Sequence, residues 1–207
     1  MKKLTFLTLL ICTFFELTGC TKDNTSEFVA QLPPETQTGA NTFGVTINGK
    51  VYVPRTPTGT GIGGSNGRAA YFWGITDNSW NELEIKDGKS PTGFKIIIHM
   101  QNLQSIGQGI YQLEKSNFQD GVDSILFSHI YFKIWDSKIS NYAYYGSLRN
   151  QGEINITRFN GSLSTNWILS GNFKGKFVRY DNPNEFINIT DGRFDFNLNT
   201  IENAIFP

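Results

Sequence analysis

The chain has 207 residues, 18 basic and 18 acidic side chains, no net charge and two cysteines. Zero net charge with 17% charged residues excludes the basic footprint that nucleic-acid binding requires, and 39% hydrophobic with 14% aromatic residues excludes a disordered chain. Two cysteines are too few for a disulfide framework or a thiolate zinc site, and a chain of this length suits one domain with its own core.

Lys2 and Lys3 precede an apolar run from Leu4 to Phe15, which Glu16 stops. A membrane-spanning helix needs roughly 20 apolar residues. This run is shorter, so residues 1–19 are expected to be a cleaved export signal. Leu17-Thr18-Gly19-Cys20 resembles the lipobox of bacterial lipoproteins. The resemblance implies diacylglycerol on Cys20, cleavage just before it, and a place in the cell envelope on the outer membrane, facing the periplasm or the surface. Each buried CH₂ of such an anchor contributes about 0.8 kcal/mol, so two or three chains hold firmly. Cleavage also discards Lys2, Lys3, Glu16 and Cys12, leaving acids one ahead of bases and no free thiol.

Cys20 to Asn41 is polar and irregular, with Pro33-Pro34 inside it, and is expected to be a lipidated N-terminus with a flexible tether. Random-coil scaling gives that tether a span of about 25 Å. Lys22-Asp23 looks like the short charged signals that send Bacteroidota lipoproteins to the cell surface.

From Thr42 to Pro207 the pattern is period two and predicts a single β domain. Thr42–Ile47 and Lys50–Val53 flank Asn48-Gly49, a type I′ hairpin signal. Further strands are predicted at Ala69–Ile75, Glu82–Lys86, Phe94–Gln101, Gly109–Leu113, Ile125–Asp136, Asn141–Ser147, Gly152–Arg158, Trp167–Tyr180 and Phe186–Leu198, the last with a possible break at Asp191-Gly192. In Trp167–Tyr180, Trp167, Leu169, Phe173 and Phe177 share one face, with Gly171 and Gly175 among them. No window carries a capped amphipathic helix. The expected fold is all-β, an antiparallel barrel or two-layer sandwich of about ten strands.

Leu32 to Gly44, followed by Asn48-Gly49-Lys50-Val51, resembles the start of a family of uncharacterised β-rich Bacteroidota lipoproteins. Ser170-Gly171-Asn172-Phe173 and Ile189 to Asp195 are similar to its C-terminal half. One departure is visible: Val45-Thr46-Ile47 lacks a cysteine often found there. The resemblance implies an envelope location and a β fold, but no activity and no site residues.

The motifs of chemistry are weak. Gly63-Gly64-Ser65-Asn66-Gly67 fits a serine-hydrolase pattern, and Gly59, Gly61 and Gly64 a dinucleotide one, but a loop and a strand surround them where each needs a helix. His99 and His129 stand on separate strands and form a metal site only if the strands bring them to a carboxylate. No metal or cofactor is expected. Asp191 with Asp195, and Asp181 to Glu185, read as turns. Asp123-Ser124-Ile125 resembles a Bacteroidota O-glycosylation site, which implies hexose on Ser124.

The aromatic residues are the most suggestive feature. Leu126, Ile130, Phe132 and Ile134 share a core-like face of one strand, and Phe127, His129, Tyr131, Lys133 and Trp135 share the other. Rings with polar tips suit binding surfaces, and strands also favour aromatics for packing alone. The expected function is therefore a non-enzymatic, lipid-anchored envelope protein whose β domain binds a glycan or a protein partner through Phe127, His129, Tyr131, Lys133 and Trp135. A structural or assembly component of an outer-membrane complex is the alternative, and a hydrolase of envelope polymers comes third. Glycan stacking requires Tyr131 and Trp135 to be accessible.

Overall fold

A computed structural model describes residues 28–57, 67–74, 79–119, 127–160 and 166–207. The signal, Cys20, Ser65 and Ser124 lie outside the described residues. Ten strands are present: β1 (Thr42–Ile47), β2 (Lys50–Tyr52), β3 (Ala70–Trp73), β4 (Trp80–Lys86), β5 (Lys95–Gln101), β6 (Gly109–Gln112), β7 (His129–Asp136), β8 (Asn141–Phe159), β9 (Ile168–Arg179) and β10 (Phe186–Asn197). They pair antiparallel in one sheet ordered β2-β1-β10-β9-β8-β7-β5-β4-β3, with β6 beside the second half of β8. The sheet curls into a half-barrel, so the fold is all-β as the period-two pattern predicts.

The curl follows from alternation. Side chains pointing inward, among them Val45, Leu83, Ile98, Phe132, Phe177 and Phe196, are fully buried in one continuous core. Rolling the sheet around that core removes apolar area from water at about 25 cal/mol per Å². The Asn48-Gly49 turn has positive φ at both residues, 48° and 82°, as a type I′ hairpin demands.

The sequence pattern predicts two strands at 141–147 and 152–158, but β8 runs through both. The intervening residues kink the strand without ending it, and its register with β9 slips between Ser147 and Gly152 and again between Ile156 and Arg158. Such slips bend and twist a strand locally. At the bend Gly152 faces Gly175, and a Cβ on Gly175 would lie 2.7 Å from the Gly152 Cα. The two glycines let the backbones meet where the sheet turns the corner. β10 likewise passes through Asp191-Gly192 with a slip and no break. Asp191 and Asp195 therefore belong to a strand, not to the turn that the sequence suggests.

Two contacts finish the architecture. Arg55, just past β2, bridges in parallel to Asp87, just past β4, so the two ends of the sheet meet there. Along the outer side of β10, reaching β9, lies the segment 33–41, and Phe28 to Ala30 before it stand beside Arg55. Asp195 points outward from β10 between Phe194 and Phe196, yet it is only 1% exposed. Its carboxylate accepts hydrogen bonds from Thr36 Oγ1 (2.6 Å), the Thr38, Gly39 and Ala40 amides (3.0, 2.8 and 3.1 Å) and Ser170 Oγ (2.6 Å). Arg193 donates to the Pro33 carbonyl at 3.2 Å, and the Asn197 amide to Asn41 Oδ1 at 3.0 Å. The tether expected over 20–41 thus gives up its second half to the domain. A buried carboxylate needs donors, and this strap supplies five of them, the Thr38 hydroxyl at 3.4 Å included.

Burial alone would raise the Asp195 carboxyl, but the hydroxyls of Ser170 and Thr36 and the Ala40 and Gly39 amides outweigh it and hold the group below the ordinary carboxylate value. A carboxyl depressed in the folded state contributes stability that is fully present above the unfolded value, about 3.9, and is lost as pH falls through the lower folded value. Asp195→Asn is expected to cost on the order of 3 kcal/mol in urea unfolding at pH 7. The gap between variant and wild type should then narrow below about pH 4. A gap that stays constant from neutral to acid pH would contradict this role for the ionised carboxylate.

Candidate functional site

Four of the five residues of the aromatic–polar face, His129, Tyr131, Lys133 and Trp135, lie together on β7, and Phe127 sits just before it, but they do not share one environment. His129 and Tyr131 are each 1% exposed, Phe127, Lys133 and Trp135 half-buried. The chain leaving β6 crosses over the first part of this face. The Glu114 amide donates to the Ser128 carbonyl (2.9 Å), the Ser116 amide to the Ser147 carbonyl (3.0 Å), and Ser116 Oγ sits 3.2 Å from His129 Nδ1. The accessibility that glycan stacking requires of Tyr131 is therefore absent. Alternation tells which residues share a face; it does not tell that a connection covers part of it.

Under this cover the strands bring the two histidines together. Register pairs Glu82 with His99 and His99 with His129 across β4, β5 and β7. His99 Nδ1 is 2.9 Å from Glu82 Oε1, and the rings of Trp80, His99 and His129 stack with centroids 5.7 and 5.0 Å apart. Glu82 is 1% and His99 0% exposed. Among the described residues no group of three His, Cys, Asp or Glu is placed to hold a metal ion. The arrangement is a sealed polar seam that ties three strands together in register. Asp181 to Glu185 form the turn that the sequence suggests, and Asp181 and Glu185 grip buried Arg179 at 2.6 and 3.1 Å.

The far end of β7 opens differently. Trp135 reaches a cleft of about 670 Å³ at the mouth of the half-barrel, where the two ends of the sheet meet. Its size falls within the roughly 300–1,000 Å³ typical of ligand sites. Tyr52, Phe94 and Trp135 supply its aromatic walls, and Lys50, Arg55 and Asp87 its charges. The Tyr52 and Phe94 rings meet edge to face at 5.6 Å, and Trp135 meets Tyr142 in the same way at 5.3 Å. The Tyr142 hydroxyl donates to the Pro91 carbonyl at 3.1 Å, tying the 87–94 loop to β8. Lys133 places its ammonium 4.9 Å from the Tyr142 ring centre, so Lys133 acts behind the cleft and not in it.

One wall is a fork. Arg55 Nη2 meets Asp87 Oδ2 at 2.6 Å, and Arg55 Nε lies 3.0 and 3.1 Å from the two carboxylate oxygens. The paired charges stay planar and offer fixed polar atoms beside apolar rings. Burial pushes the Tyr52 phenol above its usual value, so at neutral pH its hydroxyl keeps its proton and can both donate and accept. Stacking surface, a neutral hydroxyl and a guanidinium–carboxylate pair within one hollow suit a polyhydroxylated ring with one apolar face. Of the residues singled out in the sequence only Trp135 belongs here. Tyr52 and Phe94 were visible as strand aromatics, but nothing in their spacing links positions 52, 87, 94 and 135.

No family model, curated protein or solved structure matches the chain. The cleft is therefore read from its own geometry.

The fork is expected to hold the segments after β2 and β4 together at the mouth. Arg55 and Asp87 side chains are 21% and 10% exposed, so solvent screens the pair only partly. A double-mutant cycle with Arg55→Ala and Asp87→Ala should give a coupling of about 1–2 kcal/mol in chemical unfolding. Strictly additive losses would mean that the two ends of the sheet do not depend on this contact.

Proposed function

We propose that this chain is a lipid-anchored cell-envelope protein whose half-barrel binds a glycan in the cleft at its mouth and performs no chemistry on it. The observation that carries the binding site is Trp135, which shares a hollow with Tyr52, Phe94 and the Arg55–Asp87 fork. A sugar ring lays its C–H face on an aromatic ring, and its hydroxyls find donors and acceptors at the fork and at Tyr52. Leu17-Thr18-Gly19-Cys20 supports the anchor, and the resemblance to Bacteroidota lipoproteins supports the envelope location. Against hydrolysis stands the sealing of Glu82 and His99, an acid–base pair without an open path to substrate.

Lipid on Cys20, hexose on Ser124 and a cell-surface address all rest on short sequence motifs. The binding reading rests on the cleft. It narrows the candidate surface from the whole face of β7 to its C-terminal end, and removes His129 and Tyr131 from direct contact with a ligand.

Titration of the mature protein with envelope oligosaccharides, followed by tryptophan emission and calorimetry, tests the proposal. Trp135→Ala should weaken binding by tenfold or more, in line with the roughly 2 kcal/mol of a central aromatic contact, and leave the melting temperature nearly unchanged. Tyr131→Phe should bind as wild type does. Equal affinity of Trp135→Ala and wild type for every saccharide that binds would reject the cleft as the site.

A further inference from the structure

Large apolar side chains gather where the strap begins. Phe28, Val29 and Ile205 are 44%, 73% and 88% exposed. All three border one hollow of about 440 Å³, floored by Pro33, Pro54 and Phe206. Water-exposed apolar clusters of this kind are unfavourable unless something covers them, and they mark contact surfaces. Lys50 and Arg55 stand in the neighbouring cleft, which Phe28 and Val29 also border, and the Arg55 guanidinium lies 5.1 Å from the centre of the Phe28 ring. Cations beside aromatic and aliphatic side chains are the composition of a surface that meets lipid headgroups.

Chain length says what the cover is. From Cys20 to Phe28 is a stretch of eight residues, which spans at most about 28 Å when fully extended. A globular domain of this size is about 40 Å across. The strap fixes the point of departure, because hydrogen bonds to Asp195, Arg193 and Asn197 hold residues 33–41 to β10. A lipid on Cys20 therefore cannot reach round to the far side of the domain, and the side bearing Phe28 is the one it can draw to the bilayer.

We infer that Phe28, Val29 and Ile205 form a membrane-contact edge that rests the domain on the lipid surface, a conclusion that depends on acylation at Cys20. The domain then sits low against its own membrane and not out at the end of a 20-residue spacer. The glycan cleft, which borders the same edge, opens beside the headgroups.

A single fluorescent label tests this, because the mature chain keeps no cysteine besides Cys20. Ile205→Cys and, separately, Ile110→Cys are labelled with bimane on the acylated protein purified from membranes. Ile110 is 61% exposed on β6, with four strands between it and β2 in the sheet. Each protein is reconstituted into vesicles of phosphatidylethanolamine and phosphatidylglycerol that carry brominated chains. The label at 205 should be quenched at least threefold more than the label at 110. Equal, weak quenching at both positions, with protein still floating with the vesicles, would overturn the contact edge and leave the anchor intact. A 205 label shielded from aqueous iodide but unquenched by bromolipid would overturn it in favour of a protein cover. Protein that lacks acyl mass and fails to float would overturn the anchor reading and the inference with it.

Discussion

The placement of one carboxylate organises this molecule. Asp195 interrupts a strand that is otherwise core on its inner face, and it is buried on the outer face. A carboxylate removed from water is costly unless hydrogen bonds replace the water. β9 supplies only Ser170 Oγ to it. The remaining donors, Thr36 Oγ1, the Thr38 hydroxyl and the amides of Thr38, Gly39 and Ala40, come from a segment more than 150 residues away in sequence. Folding β10 therefore recruits the strap, and the strap closes the outer side of β9 and β10. It also sets where the chain leaves the domain toward its N-terminus, and through that which side of the domain would face the anchor proposed at Cys20.

The Arg55–Asp87 fork plays a complementary part at the other seam. One constraint holds the leading segment down; the other draws the ends of the sheet together. Between them lies a mouth that is neither fully closed nor filled with side chains. The half-barrel thus buries its interior with aliphatic and aromatic residues along most of its length, and leaves aromatic walls at one end. That division of labour suits a binding module. The same sheet gives a packed body and a shaped hollow, and the buried Glu82–His99–His129 seam ties β4, β5 and β7 together at the other end of those strands.

Local signals were well written in the sequence. Period-two alternation marks nearly every strand, and Asn48-Gly49 specifies its turn outright, because both features depend on neighbours in the chain. Signals that depend on distant partners were not. Asp195 looks like a turn residue beside Gly192 until Thr36 to Ala40 are placed around it. Residues 28–41 have a tether's composition, and their order comes from distant partners, β10 first among them. The two strands expected on either side of 148–151 are one, because Gly152 and Gly175 allow a bend that composition reads as an ending. Alternation puts His129, Tyr131, Lys133 and Trp135 on one face of β7. Its division into a covered half with Tyr131 and an open end with Trp135 depends on the path of residues 113–119, which no periodicity encodes. The cleft draws on four separate stretches of chain, 28–30, 50–55, 87–94 and 134–135, and of the aromatic–polar face of β7 only Trp135 reaches it.

The strap is part of the domain, clamped by Asp195. Amide hydrogen exchange measures this directly at Thr38, Gly39 and Ala40, whose N–H groups have no partner in a free tether. In the wild-type protein these three amides are expected to exchange at least a hundredfold more slowly than in an unstructured peptide, and in Asp195→Asn to approach the peptide rate while amides of β5 stay protected. Exchange in the wild type as fast as in the free peptide would contradict the account.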